Sequence, residues 1–222
     1  AGFVSGFIFA FSSALQIRTA QAFGTKDRVF MKSVLASGLA LGTGIGVVGV
    51  AALLLFGEAI LLTIAPNASV AADAWAYLSI FIFVILAESI GQNIGSHFNG
   101  SGRTMLPLYG YMLSVPINIV LSVIFIHGYF GFPSMGVAGA AWGSAIAIVV
   151  QAGFLAVMAW RFDSDLRQVK GWRNGTFGAT IRRHVTFGWP IAVTFISANF
   201  STRVSMLIFS QMGIAAFAAM TL

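Results

Sequence analysis

The chain contains no cysteine. Disulfides and thiolate metal sites are therefore excluded, and compartment is left open. Charge is also scarce: Asp, Glu, Lys and Arg make up only 8% of the 222 residues, where a soluble domain carries about 25%. Acids are the rarer sign, 6 against 12 Lys and Arg, for a net charge of +6. No Walker loop, dinucleotide fingerprint, zinc spacing or Ser/His/Asp set occurs. His97, His127 and His184 fall at different loop edges, which gives no metal cluster. These gaps argue against an enzyme. A membrane-embedded enzyme would need a His/Asp/Glu cluster at membrane depth, and none is visible.

What fills the chain instead is apolar sequence. Hydrophobic residues make up 58% of it, and the mean hydropathy is +0.91. Apolar runs of about 20 residues match the thickness of the hydrocarbon core. In lipid each backbone amide must be satisfied within its own segment, so the runs read as helices. The short alternating segments of a β-barrel are missing. The expected fold is an all-α integral membrane protein, a polytopic helical bundle. The chain has no initiator Met and no signal-peptide pattern, and both ends are apolar. It reads as an internal piece of a longer protein.

Six spans are expected, at about 1–23, 33–65, 74–98, 105–127, 137–160 and from Phe187 onward. The second is long enough to tilt or to project beyond the bilayer. Loop lysines and arginines fall only in the first, third and fifth gaps: Lys26, Arg28 and Lys32, then Arg103, then Arg161 to Arg183. The gaps around Pro66-Asn67 and from Gly128 to Gly136 have none. Positive charge is retained on the cytoplasmic side, so the odd gaps are cytoplasmic. This topology accounts for the sequence pI of 10.3 without nucleic acid. The longest hydrophilic stretch, 161–184, reads as a linker between two helical bundles or as an ordinary cytoplasmic loop.

Small residues recur every three or four positions: Gly38, Gly42 and Gly46 on the second span, Gly136, Gly139, Ala140, Gly143 and Ala147 on the fifth. At that spacing helix backbones approach closely. Polar residues inside spans are costly and tend to face a cavity or a partner. Glu88 stands inside the third span, with Gln92 one turn on. It can carry a proton, pair with a cation, or serve as a structurally paired acid. Ser114, Asn118 and Ser122 form a stripe beside Pro116 on the fourth span, and Glu88 is expected to lie near them. Transporters place substrates at such interrupted helices, whereas plain interhelical bonding gives roughly 0.6 kcal/mol per contact. Gln151 and Asn199 are further pathway candidates. Arg203 lies deep in the last span and is expected to snorkel or to pair with Glu58 or Asp73.

Four stretches resemble the multidrug and toxic compound extrusion (MATE) family. They are Gln21-Ala22-Phe23-Gly24-Thr25-Lys26-Asp27; Asn99-Gly100-Ser101-Gly102-Arg103-Thr104 with Pro107; Asn118-Ile119-Val120-Leu121 followed by Met135-Gly136-Val137-Ala138-Gly139; and Gly188-Trp189-Pro190-Ile191-Ala192. The resemblance implies helices two to seven of twelve, in a parent built from two six-helix bundles around a central cavity. Residues 1–160 would belong to the first bundle, 161–184 to the linker, and 185–222 to the first helix of the second. It also implies a monomeric multi-pass protein of the bacterial inner membrane. That protein would export cationic or amphipathic compounds in exchange for protons or sodium ions, with no other cofactor. The family's helix-five Asp falls at Ser122 here, and its helix-seven Glu at Ala198. Coupling would then pass to Glu88 or to residues elsewhere. The alternative within the same superfamily is a flippase for lipid-linked sugars. Its polar headgroups call for several cations in the cavity, and only Arg203 lies deep within a span, Arg18 standing near the first gap.

Overall fold

In a computed structural model the described residues, 2–64, 67–162 and 177–211, form six α-helices. They are α1 (Gly2–Gly24), α2 (Arg28–Ile64), α3 (Ala68–Gly100), α4 (Met105–His127), α5 (Val137–Phe162) and α6 (Phe177–Gln211), with a single 3-10 turn at Tyr129–Gly131. Among the described residues, α2, α3, α4 and α5 are long and apolar enough to cross a membrane. The chain is a multi-pass membrane protein. Arg167, Lys170, Arg173 and Pro66 lie outside the described residues.

Several helices outrun the apolar runs that announced them. Helix α2 starts at Arg28 rather than near Ser33, and α3 at Ala68 rather than near Ala74. The largest difference is α6, which starts at Phe177 and so takes in Arg182, Arg183 and His184, read from sequence as linker. Hydropathy marks where the bilayer ends. A helix continues past that point while its carbonyls still find intrahelical donors. Local chemistry then sets the ends: the Asn67 side chain accepts from Val70 N at 2.9 Å and starts α3. Gly128, at φ 75°, closes α4 in the left-handed conformation that glycine adopts without strain.

Small residues set the packing. A Cβ at Gly42 would overlap the Asn93 amide, one at Gly46 would lie 3.4 Å from Ser89 Oγ, and one at Gly38 would meet Leu15 and Asn93. The glycines of α2 thus seat, turn by turn, on an antiparallel α3. On α5 a Cβ at Gly139 would stand 2.6 Å from the Phe125 main chain, and one at Gly143 would overlap Ser122. Gly136 of the same expected stripe faces open space. Parallel to α3, α5 sets Ala152 against Gly91 and Ala141 and Ala145 against Ile80 and Val84. Helix α6 closes on α1 through Ala10, Phe11 and Ala192, with Phe7 and Phe195 around them.

Candidate functional site

The polar residues predicted as one site separate into two. Half-buried Glu88 accepts a hydrogen bond from Ser5 Oγ at 2.7 Å, across the seam between α3 and α1. Its partner is a neutral hydroxyl, so the carboxylate charge is not cancelled by that contact. Gln92, one turn along, is half-buried. A cleft of about 500 Å³ lies between α1 and α2, walled by Val4, Phe7, Leu41, Ile45 and Val48, with no residue of α3 in its lining.

The second group fills the seam between α4 and α5. Ser114 Oγ donates to Gln151 Oε1 at 3.0 Å, Asn118 Nδ2 donates to Ser144 Oγ at 3.3 Å, and Ser122 Oγ donates to Asn118 Oδ1 at 3.1 Å. The expected stripe of Ser114, Asn118 and Ser122 meets two residues of α5, Gln151, which was expected separately as a pathway candidate, and Ser144, which was not singled out. The structure does not join Glu88 to them. The stripe turns toward α5, whereas Glu88 turns toward α1. Helices α3 and α4 meet lower down, where Gly95 faces Pro107. The side chains of Asn199 and Arg203 lie outside the described residues.

Several residues that matter for packing were not singled out by sequence. Fully buried His184, read as a loop-edge residue, sits at the meeting of α6, α1 and α2. Its Nε2 lies 3.1 Å from the Phe11 carbonyl, and its Nδ1 3.2 Å from Ser37 Oγ. A carbonyl only accepts, so Nε2 carries a proton. Arg18 reaches the Thr180 carbonyl at 3.5 Å and stacks over the Phe30 ring. A helical reading carried back from Gly188 and Ala192 would have put His184 on the same buried face, but the adjacent arginines suggested solvent. Buried oxygens without a hydrogen-bond partner occur at Ser12 Oγ, Thr19 Oγ1 and Asn93 Oδ1, on α1 and α3. Among the described residues no group of three His, Cys, Asp or Glu is placed to hold a metal ion.

Six packed helices, four of them long and apolar enough to cross a membrane, define the class of a polytopic helical membrane protein. The chain belongs to the MatE family, whose profile matches residues 1–124. It is 29% identical over 98% of its length to a probable multidrug resistance protein NorM of Rhizobium meliloti, and covers 47% of that protein. The fold is that of a MATE crystal structure in the bent conformation: TM-score 0.80, 18% identity, 99% of this chain and 48% of the other. A MOP superfamily transporter of Pyrococcus furiosus, described by a binding pocket of reverse polarity, gives a TM-score of 0.83 at 17% identity, over 99% of this chain and 48% of that one. The chain spans about half the length of the curated relatives it matches.

Proposed function

We propose that the chain is part of a secondary active exporter of the bacterial inner membrane. It moves cationic or amphipathic compounds outward in exchange for protons or sodium ions, by alternating access. The observation that carries this reading is Glu88: a carboxylate inside a membrane helix, bonded to a neutral hydroxyl on the next helix. On translocon scales an acid at the centre of a lipid-facing helix costs about 2.5–3.5 kcal/mol. A position between helices avoids much of that cost. It also leaves a group that can bind a proton, a metal cation or the cationic head of a substrate. The cleft between α1 and α2 is apolar and suits the apolar part of an amphipathic molecule. Family membership and the multidrug-resistance names of the relatives support the same reading.

In this account the stretch 161–184 includes the connection between two bundles, and α6 begins the second. The gaps holding Lys26, Arg103 and Arg161 face the cytoplasm. The α4–α5 stripe holds its seam together while α1 and α6 rearrange. Gln92 and Asn199 are assigned to the pathway.

The test is transport of a fluorescent organic cation into inverted vesicles carrying the complete transporter, under an imposed proton or sodium gradient. Uptake that follows one of the gradients and collapses with it is the expected result. Uptake that ignores both gradients would refute antiport.

A further inference from the structure

The α4–α5 hairpin has a tip unlike the other loop on its side of the bilayer. No Asp, Glu, Lys or Arg lies between Arg103 and Arg161. Within that stretch the chain turns at Tyr129–Gly131. Phe130 stands there at φ 58°, ψ 28° and is 88% exposed. A bulky aromatic residue in the left-handed region is strained, and such positions persist where surrounding structure or function requires them. Gly128 and Gly131, at φ 75° and 85°, flank it. Main-chain bonds from Phe132 N to the Tyr129 carbonyl and from Met135 N to the Phe125 carbonyl hold the turn closed. Tyr129, Phe132, Met135 and Val137 are exposed around it, continuous with the exposed apolar faces of α4 and α5. The α2–α3 loop differs: Asn67 bonds Ser69 and Val70 N, and exposed Glu58 and Asp73 flank it.

Helix α4 has 23 residues. At 1.5 Å per residue it is about 35 Å long, against a hydrocarbon core of about 30 Å. Its far end therefore reaches the level of the headgroups, where aromatic side chains are enriched. We infer that the tip from Tyr129 to Phe132 is a lipid-binding anchor, which seats the Phe130 ring at the boundary between headgroups and acyl chains. On the topology proposed above, that is the outer leaflet. Recognition is apolar and aromatic. With no formal charge in the turn, it requires neither anionic lipid nor low salt.

The 222 residues contain no cysteine, so a label introduced among them is the only one in this part of the transporter. Phe130→Cys, and separately Phe132→Cys, would carry a nitroxide in the complete transporter, reconstituted in phosphatidylcholine vesicles. Collision rates with oxygen and with a water-soluble nickel chelate report the surroundings. The anchor predicts a ratio of oxygen to chelate collisions severalfold higher than for Asn67→Cys, unchanged by added anionic lipid or by high salt. A label open to the chelate would place the tip in water and overturn the inference. A label shielded from both reagents would place it under another part of the protein, with the same consequence. Phe130→Gly keeps the left-handed backbone and removes only the ring. A label at position 132 should then lose its oxygen preference; if it keeps it, Phe130 is not the anchor.

Discussion

The seam between α1 and α3 and the seam between α4 and α5 both hold polar side chains inside an apolar bundle, but they treat them differently. In the α4–α5 seam the stripe closes on itself: Ser122 donates to Asn118, Asn118 to Ser144, and Ser114 to Gln151. In the α1–α3 region Glu88 has a neutral partner, and the oxygens of Ser12, Thr19 and Asn93 are buried with no hydrogen-bond partner. A closed ladder fixes two helices against each other. A buried polar group without a partner is costly, and such groups are where a changing partner would be accommodated. The proposed transport cycle accordingly takes α4–α5 as the frame and α1, with α6 packed on it, as the moving part.

Close approach is the feature the two regions share, and breaking it should have the largest effect. Gly42→Leu collides with Asn93, and Gly143→Leu collides with Ser122 and its main chain. Overpacking of this kind costs about 1–3 kcal/mol, and more where backbone blocks relaxation. Both variants should lose most of the folded protein when scored by size-exclusion chromatography in detergent. Gly44→Leu faces open space and should keep a wild-type profile. Equal yields from all three would separate the glycines from the packing.

His184→Ala should have the next largest effect. It leaves the Phe11 carbonyl and the Ser37 hydroxyl without their shared partner at the α6 contact. Losing a buried hydrogen-bonding group costs about 1–3 kcal/mol, so the melting temperature should fall measurably. A cysteine placed in α6 near Ala192 should become more reactive as the helix loosens. An unchanged melting temperature together with unchanged reactivity would mean that the apolar contact alone holds α6.

The smallest effect belongs to the ladder. Ser122→Ala removes a single bond to Asn118, one turn back on α4 itself, and leaves both bonds between α4 and α5, Ser114 to Gln151 and Asn118 to Ser144, in place. A small shift in denaturant midpoint, with transport unchanged, is expected. A large transport defect with a normal midpoint would move the stripe from frame to pathway.

Much of this was legible from residues alone. The four-residue spacing of Gly38, Gly42 and Gly46 announced a helix seam, and α3 does sit on it. The run from Met105 to His127 matched α4 at both ends. Two features were hidden for physical reasons. Helix ends inside charged stretches, such as Phe177, carry no hydropathy signal, because a helix in water and a loop in water are both polar. The direction in which Glu88 points depends on which neighbour packs against each face of α3. A periodic pattern in one helix cannot supply that, so Glu88 and the α4 stripe were expected together and are found apart. His184 was concealed in the same way: its burial is created by α1 and α2, both more than a hundred residues earlier in the chain.

The most direct test of the account is gradient-driven transport by Glu88→Gln in the complete transporter, run beside Ser122→Ala at matched expression. The account predicts that Glu88→Gln loses at least about tenfold in gradient-coupled transport, equivalent to about 1.4 kcal/mol, while Ser122→Ala stays near wild type. Full coupled transport by Glu88→Gln at every pH and under both ion gradients would contradict it, and would leave Glu88 a structural partner of Ser5.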